Sequence, residues 1–354
     1  MSSPGERVFG MKVLSLIVPS YNSERFLDKV ISSFLHPEVI DKLDIIIVND
    51  GSKDETPEIA KKYCDNYPNS VRLINQENKG HGGALNTGCA AAVGKYLKVV
   101  DADDWVETEN LPEFIGLLED CVSDVVLTHH HTVDISNGEI KNWKSYPEQF
   151  GRSYTMEEIM GQWKNFDRSL TFHGITYCTE FYRRFGIQLS EHVFYEDHEF
   201  ATFPCCMARS ITPFDMFIYD YRIGDVQQSV SDANQLKRLG HTETVLSRLR
   251  EEYSKLPIET EDAAREYVCK KTQVLLLSYL VTVMLVEKDK HAGREKAKAM
   301  MELFRCHMPK TWEGARKQYG VFRMLNRLHV SKKQFDAAIH SPLYGKLRNS
   351  RDFE

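Results

Sequence analysis

Three carboxylates crowd one short turn, Asp101, Asp103 and Asp104, in the run Val99-Val100-Asp101-Ala102-Asp103-Asp104-Trp105. Hard oxygens two residues apart at the end of an apolar strand can hold a divalent cation together with the phosphates it bridges. Acidic turns are common, so the weight comes from the surrounding loops. Asp50, in Val48-Asn49-Asp50-Gly51-Ser52, also follows an apolar run. A carboxylate fixed there can accept a base N–H, although Asp50-Gly51-Ser52 also reads as a turn with an Asx bond. Lys79 beside Gly80, Gly82 and Gly83 offers a cation and approachable amides at a helix start, suited to phosphate or simply to tight helix–sheet packing. The spacing fits neither Gly-x-Gly-x-x-Gly nor a Gly-Lys-Ser/Thr loop, which argues against a dinucleotide fingerprint and a P-loop. Glu196-Asp197 precedes the apolar positions Phe200, Phe203 and Met207. Such a pair suits a helix start, and a carboxylate there can also take a proton.

These residues need a frame, and the first hundred positions alternate strand and helix. Val13 to Val18 and Asp44 to Val48 are near-continuous apolar runs, as are the shorter Val71–Ile74 and Tyr96–Val100. Helical spacing between them places Phe26, Val30, Ile31 and Phe34 on one face of a helix over 24–35. Asp54 or Thr56 is placed to cap a second helix carrying Ile59, Tyr63 and Tyr67, and 84–93 reads as a third, small-residue helix. Repeated units of this kind predict a parallel sheet covered on both faces, with the chemical loops on its C-terminal edge. Further on, a helix at 111–118 leads to a strand at 125–128. Two alternating runs meet at Asn137-Gly138, a type I′ hairpin signal. Residues 172–182 and 211–221 read as strands around a helix at 196–207, and from Ala233 the chain reads as helix-rich.

Composition sets the outer bounds. The 354 residues, 42% hydrophobic and 27% charged, suit a soluble globular chain of two or three units. The apolar stretch 274–286 is interrupted by Ser278 and Thr282 and reads as too short for a membrane span. The N-terminal residues lack the apolar core of a signal peptide. The eight scattered cysteines suggest reduced thiols in a cytoplasmic protein. Net charge is −6, yet from Lys288 onward 16 Lys and Arg face 7 Asp and Glu. That basic part can lie on an anionic membrane or hold an anionic acceptor, and a solvated lysine-rich helical surface is the plain alternative.

Taken in order, the motifs Pro19-Ser20-Tyr21-Asn22-x-Glu24, Asn49-Asp50-Gly51-Ser52-x-Asp54, Asn78-Lys79-Gly80, Gly83-x-x-Asn86-x-Gly88, Asp101-x-Asp103 and Tyr195-Glu196-Asp197 resemble the family 2 inverting glycosyltransferases of GT-A fold. The resemblance spans roughly 12–231. It implies an α/β fold with a GT-A-type, Rossmann-like mixed sheet flanked by helices, followed by a helix-rich C-terminal region. It divides the chain into a nucleotide-sugar-binding half at 12–128, an acceptor-binding half at 129–232 and a helical region at 233–354. It assigns Asp50 to the uracil, Asp101 with Ala102 to the ribose and sugar, and Asp103 to a Mg2+ or Mn2+ ion on the diphosphate. It also assigns Asp197 as the base, beside Glu196 on the acceptor side. Pro19, Tyr21, Lys79 and Gly83 join the donor set. Glu24 either faces the nucleotide or complements a helix dipole, and Asp104 either caps the following helix or orients Asp103.

The segment from Tyr221-Arg222 to Ser229-Val230-Ser231 is similar to the family's diphosphate contact only loosely, leaving Arg222 either there or on the surface. His173 is a further acceptor-side candidate. His129, His130 and His131 lack a nearby Asp, Glu or Cys in sequence to complete a metal set, and read as cleft or strand residues.

The reading implied is metal-assisted, inverting transfer of a sugar from a nucleoside diphosphate, a UDP-sugar by preference, to a glycan or lipid-linked hydroxyl. Nucleic acid is not an expected partner. Two other readings stand beside it: a non-catalytic nucleotide- or glycan-binding module, and a sugar-phosphate nucleotidyltransferase. The second of these wants an Arg- and Lys-bearing Gly-rich loop after the first strand, where this chain has Pro19-Ser20-Tyr21-Asn22.

Overall fold

The computed structural model describes residues 11–224 and 232–339. The chain divides into two compact units, with the main break at residue 226 and residues 261–264 counted with the first.

The first unit opens with β1 (Leu14–Ser20), α1 (Leu27–Ser33), β2 (Leu43–Asn49), α2 (Thr56–Asn66), β3 (Val71–Asn75), α3 (Gly80–Ala91) and β4 (Tyr96–Val99). Every residue of β1, β2 and β4 is buried, as their unbroken apolar runs require of strands covered on both faces. The four strands pair in parallel in the order β3-β2-β1-β4. The chain thus steps outward from β1 to β3 and then crosses back to the other side of β1. That reversal opens a crevice at the C-terminal ends of β1 and β4, the place where open α/β sheets bind ligands. Ser15 and Asp44 are two of the polar residues inside. They bond to each other at 2.6 Å, and Arg72 reaches Asp44 at 2.7 Å, so the buried carboxylate is paired.

The rest of the unit contains β5 (Trp105–Val106), α4 (Leu111–Asp120), β6 (Val125–Asp134), β7 (Ile140–Trp143), α5 (Met156–Gly161), α6 (Trp163–Phe166), β8 (Ile175–Cys178), α7 (Thr179–Phe185), α8 (Asp197–Cys206) and β9 (Ile211–Ile223). The sheet continues β4-β8-β6-β9-β5 with mixed direction, and β7 extends β6. A bulge between Leu127 and His130 re-aims the second half of β6.

Several local expectations change. The turn between β6 and β7 is not type I′, which needs two left-handed residues. Only Gly138 has positive φ, and the loop is longer because Asp134 caps Ser136 and its carbonyl accepts the Gly138 N–H. The expected strand at 172–182 is only four residues. Gly174 and Ile175 N–H groups both return to the Thr171 carbonyl in a turn, and α7 takes over at Thr179. The expected helix over 24–35 starts only at Leu27.

The second unit consists of α9 (Asp232–Lys237), α10 (Leu239–Lys255), α11 (Asp262–Val281), a π-helical turn at Thr282–Val286, α12 (Lys290–His307), α13 (Pro309–Arg327) and α14 (Lys332–Ile339). Pro309 starts α13, where the first helical N–H would have no intrahelical partner to lose. The stretch 274–286 also needs correction: it lies within a 25-residue helical segment, Asp262–Val286, long and apolar enough by length and composition to cross a membrane. Sixty-seven per cent of its apolar part is buried, as in the core helix of a globular unit.

Candidate functional site

The crevice between β1 and β4 holds a cavity of about 540 Å³. Pro19 to Ser23 from the end of β1, Asp50 from the end of β2, and Asp101 to Asp103 from the end of β4 form its base. Gly80, His81 and Ala84 of α3 and the loop residues His192, Val193 and Phe194 form the opposite wall. Residues more than 170 positions apart meet because parallel strands deliver their C-terminal loops to one edge.

Asp50 is buried, and its Oδ1 accepts Gln76 Nε2 at 2.7 Å and the Lys79 N–H at 2.8 Å. Its backbone carbonyl accepts Asn78 Nδ2, so the carboxylate is clamped by the loop that precedes α3. Tyr21 is 52% exposed and presents its ring to the cavity. Three expected donor residues fall outside the lining. Lys79 is exposed; its side chain lies against Gly83, which is buried behind it. Glu24 accepts the Glu55 N–H at the start of α2, while its own N–H goes to Asp54. It therefore ties two loops and complements α2 rather than α1.

The acidic turn divides into three roles. Asp104 is buried, and its two oxygens accept Tyr219 Oη at 2.5 Å and the Arg222 N–H at 2.8 Å. It caps no helix, since β5 follows it; it fastens the turn to β9. Burial pushes its carboxyl well above the usual range, with Asp101 and Asp103 adding to the effect. Asp103 faces the cavity and is raised to about 6, first by burial and then by Asp101. Arg222 Nη1 lies 3.6 Å from Asp103 Oδ2, and its guanidinium covers the Phe26 ring at 4.5 Å. Arg222 is buried, not a surface arginine. Crowded like charge that opens into a cavity, with a single guanidinium close by, fits a bound cation. Ser229-Val230-Ser231 lies outside the described residues.

The residue that the sequence reading passed over is His81. Its Nδ1 meets Glu196 Oε1 at 2.5 Å and its Nε2 meets Asp101 Oδ1 at 2.9 Å. Burial alone pulls the imidazole down, but the two carboxylates outweigh it and hold it well above its ordinary value of 6.5. The ring is therefore an imidazolium bridging α3, the acidic turn and the start of α8. Burial raises Asp101 too, yet His81 and His173 bring it below the ordinary range. A histidine set among glycines at a helix start was the available signal.

Glycine is needed for this closeness. A Cβ on Gly82 would sit 2.2 Å from the Ser190 carbonyl oxygen, so the 190–196 loop reaches α3 only over a bare Cα. Tyr195, just before Glu196, holds φ at +75°, a conformation unusual for a tyrosine.

Asp197 is the first residue of α8 and does not line the cavity. Its charge reaches Tyr221 and His173, the two rings on which Asp101 also acts. His173 stacks on Tyr221 with centroids 4.4 Å apart, and burial lowers it to about 4, so it is neutral. Lys98, buried in β4, donates to the His173 carbonyl at 2.6 Å and fixes that turn; burial lowers it to about 7. Glu196 is buried against His81.

The histidine run lies in β6, as strand residues, and carboxylates reach it from other elements. His131 Nδ1 lies 2.8 Å from Asp220 and 3.5 Å from Glu107, and the ligand atoms of the three residues lie within 4.8 Å of one another. The acids come from β9 and the end of β5, far off in sequence. His129 pairs with Asp215, while His130 packs between Trp143 and His173.

A mixed α/β sheet with an acidic turn and a nucleotide-sized cavity at its switch point defines the GT-A-like class. Residues 15–184 match the family model described as glycosyl transferase family 2. The chain is 29% identical over 223 residues to the putative glycosyltransferase EpsH of Bacillus subtilis, covering 59% of this chain and 60% of EpsH. It is 30% identical over 161 residues to the glycosyltransferase GlyG of Streptococcus pneumoniae, covering 43% of this chain and 52% of GlyG. The chain thus spans under two-thirds of the length of these relatives. The crystal structure of S. aureus TarS 1–349 superposes with a TM-score of 0.60 at 18% identity, over 89% of this chain and 91% of that one, a likeness of fold. Residues 15–184 thus match glycosyl transferase family 2, and the sheet that carries them has a GT-A-like fold.

Proposed function

We propose that the protein transfers a sugar from a nucleoside diphosphate, a UDP-sugar, to a hydroxyl of a glycan or lipid-linked acceptor, with inversion. The observation that carries this is the convergence of Asp50, Asp101 and Asp103 on one 540 Å³ cavity at the sheet's switch point. The TarS structure in complex with UDP-GlcNAc shares this fold at a TM-score of 0.56 and 19% identity, over 90% of this chain and 92% of that one, which agrees with a uridine donor.

In this reading the donor base lies over Tyr21, with its N–H on Asp50. Asp101 takes the ribose and sugar hydroxyls. Asp103 holds a divalent cation, Mg2+ or Mn2+; when bound, that cation offsets the charge appearing on the departing diphosphate. Arg222, beside Asp103, adds a fixed positive charge on the same side. The acceptor hydroxyl enters from the His173 and Tyr221 side, and its oxygen attacks the anomeric carbon as the bond to phosphate oxygen breaks. Asp197 accepts the hydroxyl proton. Residues 12–128 serve the donor and 129–232 the acceptor, except that Arg222 and the wall formed by His192, Val193 and Phe194 belong to the donor side. A cytoplasmic protein touching the inner membrane face peripherally, through the basic C-terminal part, is the matching location.

The test is a panel of nucleotide sugars with purified protein, following release of the nucleoside diphosphate with and without EDTA. Metal-dependent release from a UDP-sugar supports the reading. Absence of any metal-dependent UDP binding by calorimetry favours a binding module instead.

A further inference from the structure

We infer that the second unit carries a site for a phosphate-bearing anion, in a basin where the start of α12 meets the end of α13. The basin has a volume of about 680 Å³ and is lined by Lys288, Lys290, His291, Arg294, Arg327 and His329, with Asp289 and Glu295 the only acids in its lining. Among the described residues no carboxylate stands within ion-pair distance of Lys288, Arg294 or Arg327, although elsewhere in the unit cations pair regularly with acids, as Lys296 does with Glu287.

The arrangement runs against the helix dipole. Cations suit a helix C-terminus, and Arg327 and His329 at the end of α13 are placed as that rule expects. Lys288, Lys290, His291 and Arg294 instead surround the start of α12, whose first turn contains no acid. Four basic residues at the positive end of a helix disfavour the free fold, and a bound anion relieves them. Asp289 offsets part of this by accepting the His291 and Ala292 N–H groups. Lys290 is partly engaged with the Leu285 and Glu287 carbonyls.

Arg294 is held ready. Its Nη1 donates to Asn326 Oδ1 at 2.7 Å, and Asn326, fully buried, donates in turn to the Met284 carbonyl at 2.7 Å. A guanidinium oriented by an amide instead of a carboxylate keeps its full charge, and its planar donors match phosphate oxygens. The shared chemistry is a phosphate anion, either a soluble phosphate or the head group of a lipid.

The full chain is titrated with inorganic pyrophosphate by calorimetry, and separately sedimented with phosphatidylcholine vesicles with and without phosphatidic acid. Lys288→Gln with Arg327→Gln changes two exposed side chains and spares the fold; Arg294→Gln is a second variant. Lys298→Gln with Lys317→Gln removes the same charge outside the basin. The site is supported by saturable binding in either arm that the basin variants weaken by about tenfold and the control pair by less than about twofold. Pyrophosphate without vesicle binding identifies a soluble ligand, and vesicle binding that needs phosphatidic acid identifies a lipid. Absence of saturable binding in both arms, or equal weakening by basin and control pairs, overturns it. Neither readout needs sugar transfer, so this result and the test of the proposed activity fail independently.

Discussion

His81 Nε2 lies 2.9 Å from Asp101 Oδ1, and the same ring reaches the buried Glu196 through Nδ1. One imidazolium therefore joins the acidic turn after β4 to the loop that precedes Asp197. Donor side and proposed base are tied through a residue that belongs to neither motif.

Replacing His81 with Ala leaves Glu196 buried without its cation. A buried charge that loses its partner is costly, so a loss of about 2 kcal/mol is expected in urea unfolding. The Glu196→Gln variant, which keeps a neutral hydrogen-bonding partner for the ring, should lose less. Equal stability of His81→Ala and the parent would show that the bridge does not contribute.

The same bridge sets a pH window. His81 has its folded-state value raised above 6.5, so its contribution is complete below that pH and fades as pH rises through the raised value. Asp101 is lowered, so its contribution is present above the ordinary carboxylate range and is lost as pH falls through the lowered value. Melting temperature should fall on the alkaline side in the parent, and this part of the decline should be absent in His81→Gln.

Asp103→Asn separates stability from function. The variant removes one of three like charges in the turn and should raise the melting temperature in EDTA, because burial and Asp101 disfavour that carboxylate. Metal-dependent activity should fall by about a hundredfold or more if Asp103 holds the cation. Full activity with an unchanged metal requirement would refute the assignment.

Asp197→Asn should lower kcat by roughly 10²–10⁴-fold, the usual range for loss of a general base. Because Asp197 does not line the donor cavity, the affinity for UDP should stay within about twofold of the parent. A change in UDP affinity with kcat intact would place Asp197 on the donor instead.

Gly82→Ala drives a methyl into the Ser190 carbonyl and must displace the 190–196 loop. Overpacking of this kind costs about 1–3 kcal/mol. Activity should drop further than stability accounts for, since the same loop carries Glu196 and Asp197. Gly116→Ala, within α4 where nothing lies within 4 Å, is the control: it should leave activity unchanged and raise stability slightly, by about 0.5–1 kcal/mol.

Much of the first part of the sheet was legible in the chain. Leu14–Ser20, Leu43–Asn49 and Tyr96–Val99 are buried strands because unbroken apolar runs have no other stable place, and the acidic turn follows the last of them. Local period and turn chemistry failed where long-range contacts decide. Phe172 to Tyr182 has strand composition, but a turn at Thr171 and the start of α7 shorten it to Ile175–Cys178. Lys79 and Gly83 were expected on the donor from their composition and the family resemblance, with tight packing as the alternative, yet the cavity is lined by Gly80, His81 and Ala84 of α3.

The sequence by itself determined which side chains are able to do chemistry and that parallel strands would bring their loops to a common edge. Tertiary structure decided their partners. Asp104 goes to Tyr219, Glu24 to the start of α2, His81 to Asp101 and Glu196, and His131 to Asp220 and Glu107. Spacing along a chain reports only neighbours within a turn or a strand, whereas these pairings join residues from about 20 to 115 positions apart. They exist because one continuous sheet, ordered β3-β2-β1-β4-β8-β6-β9-β5, sets strands from distant parts of the chain side by side.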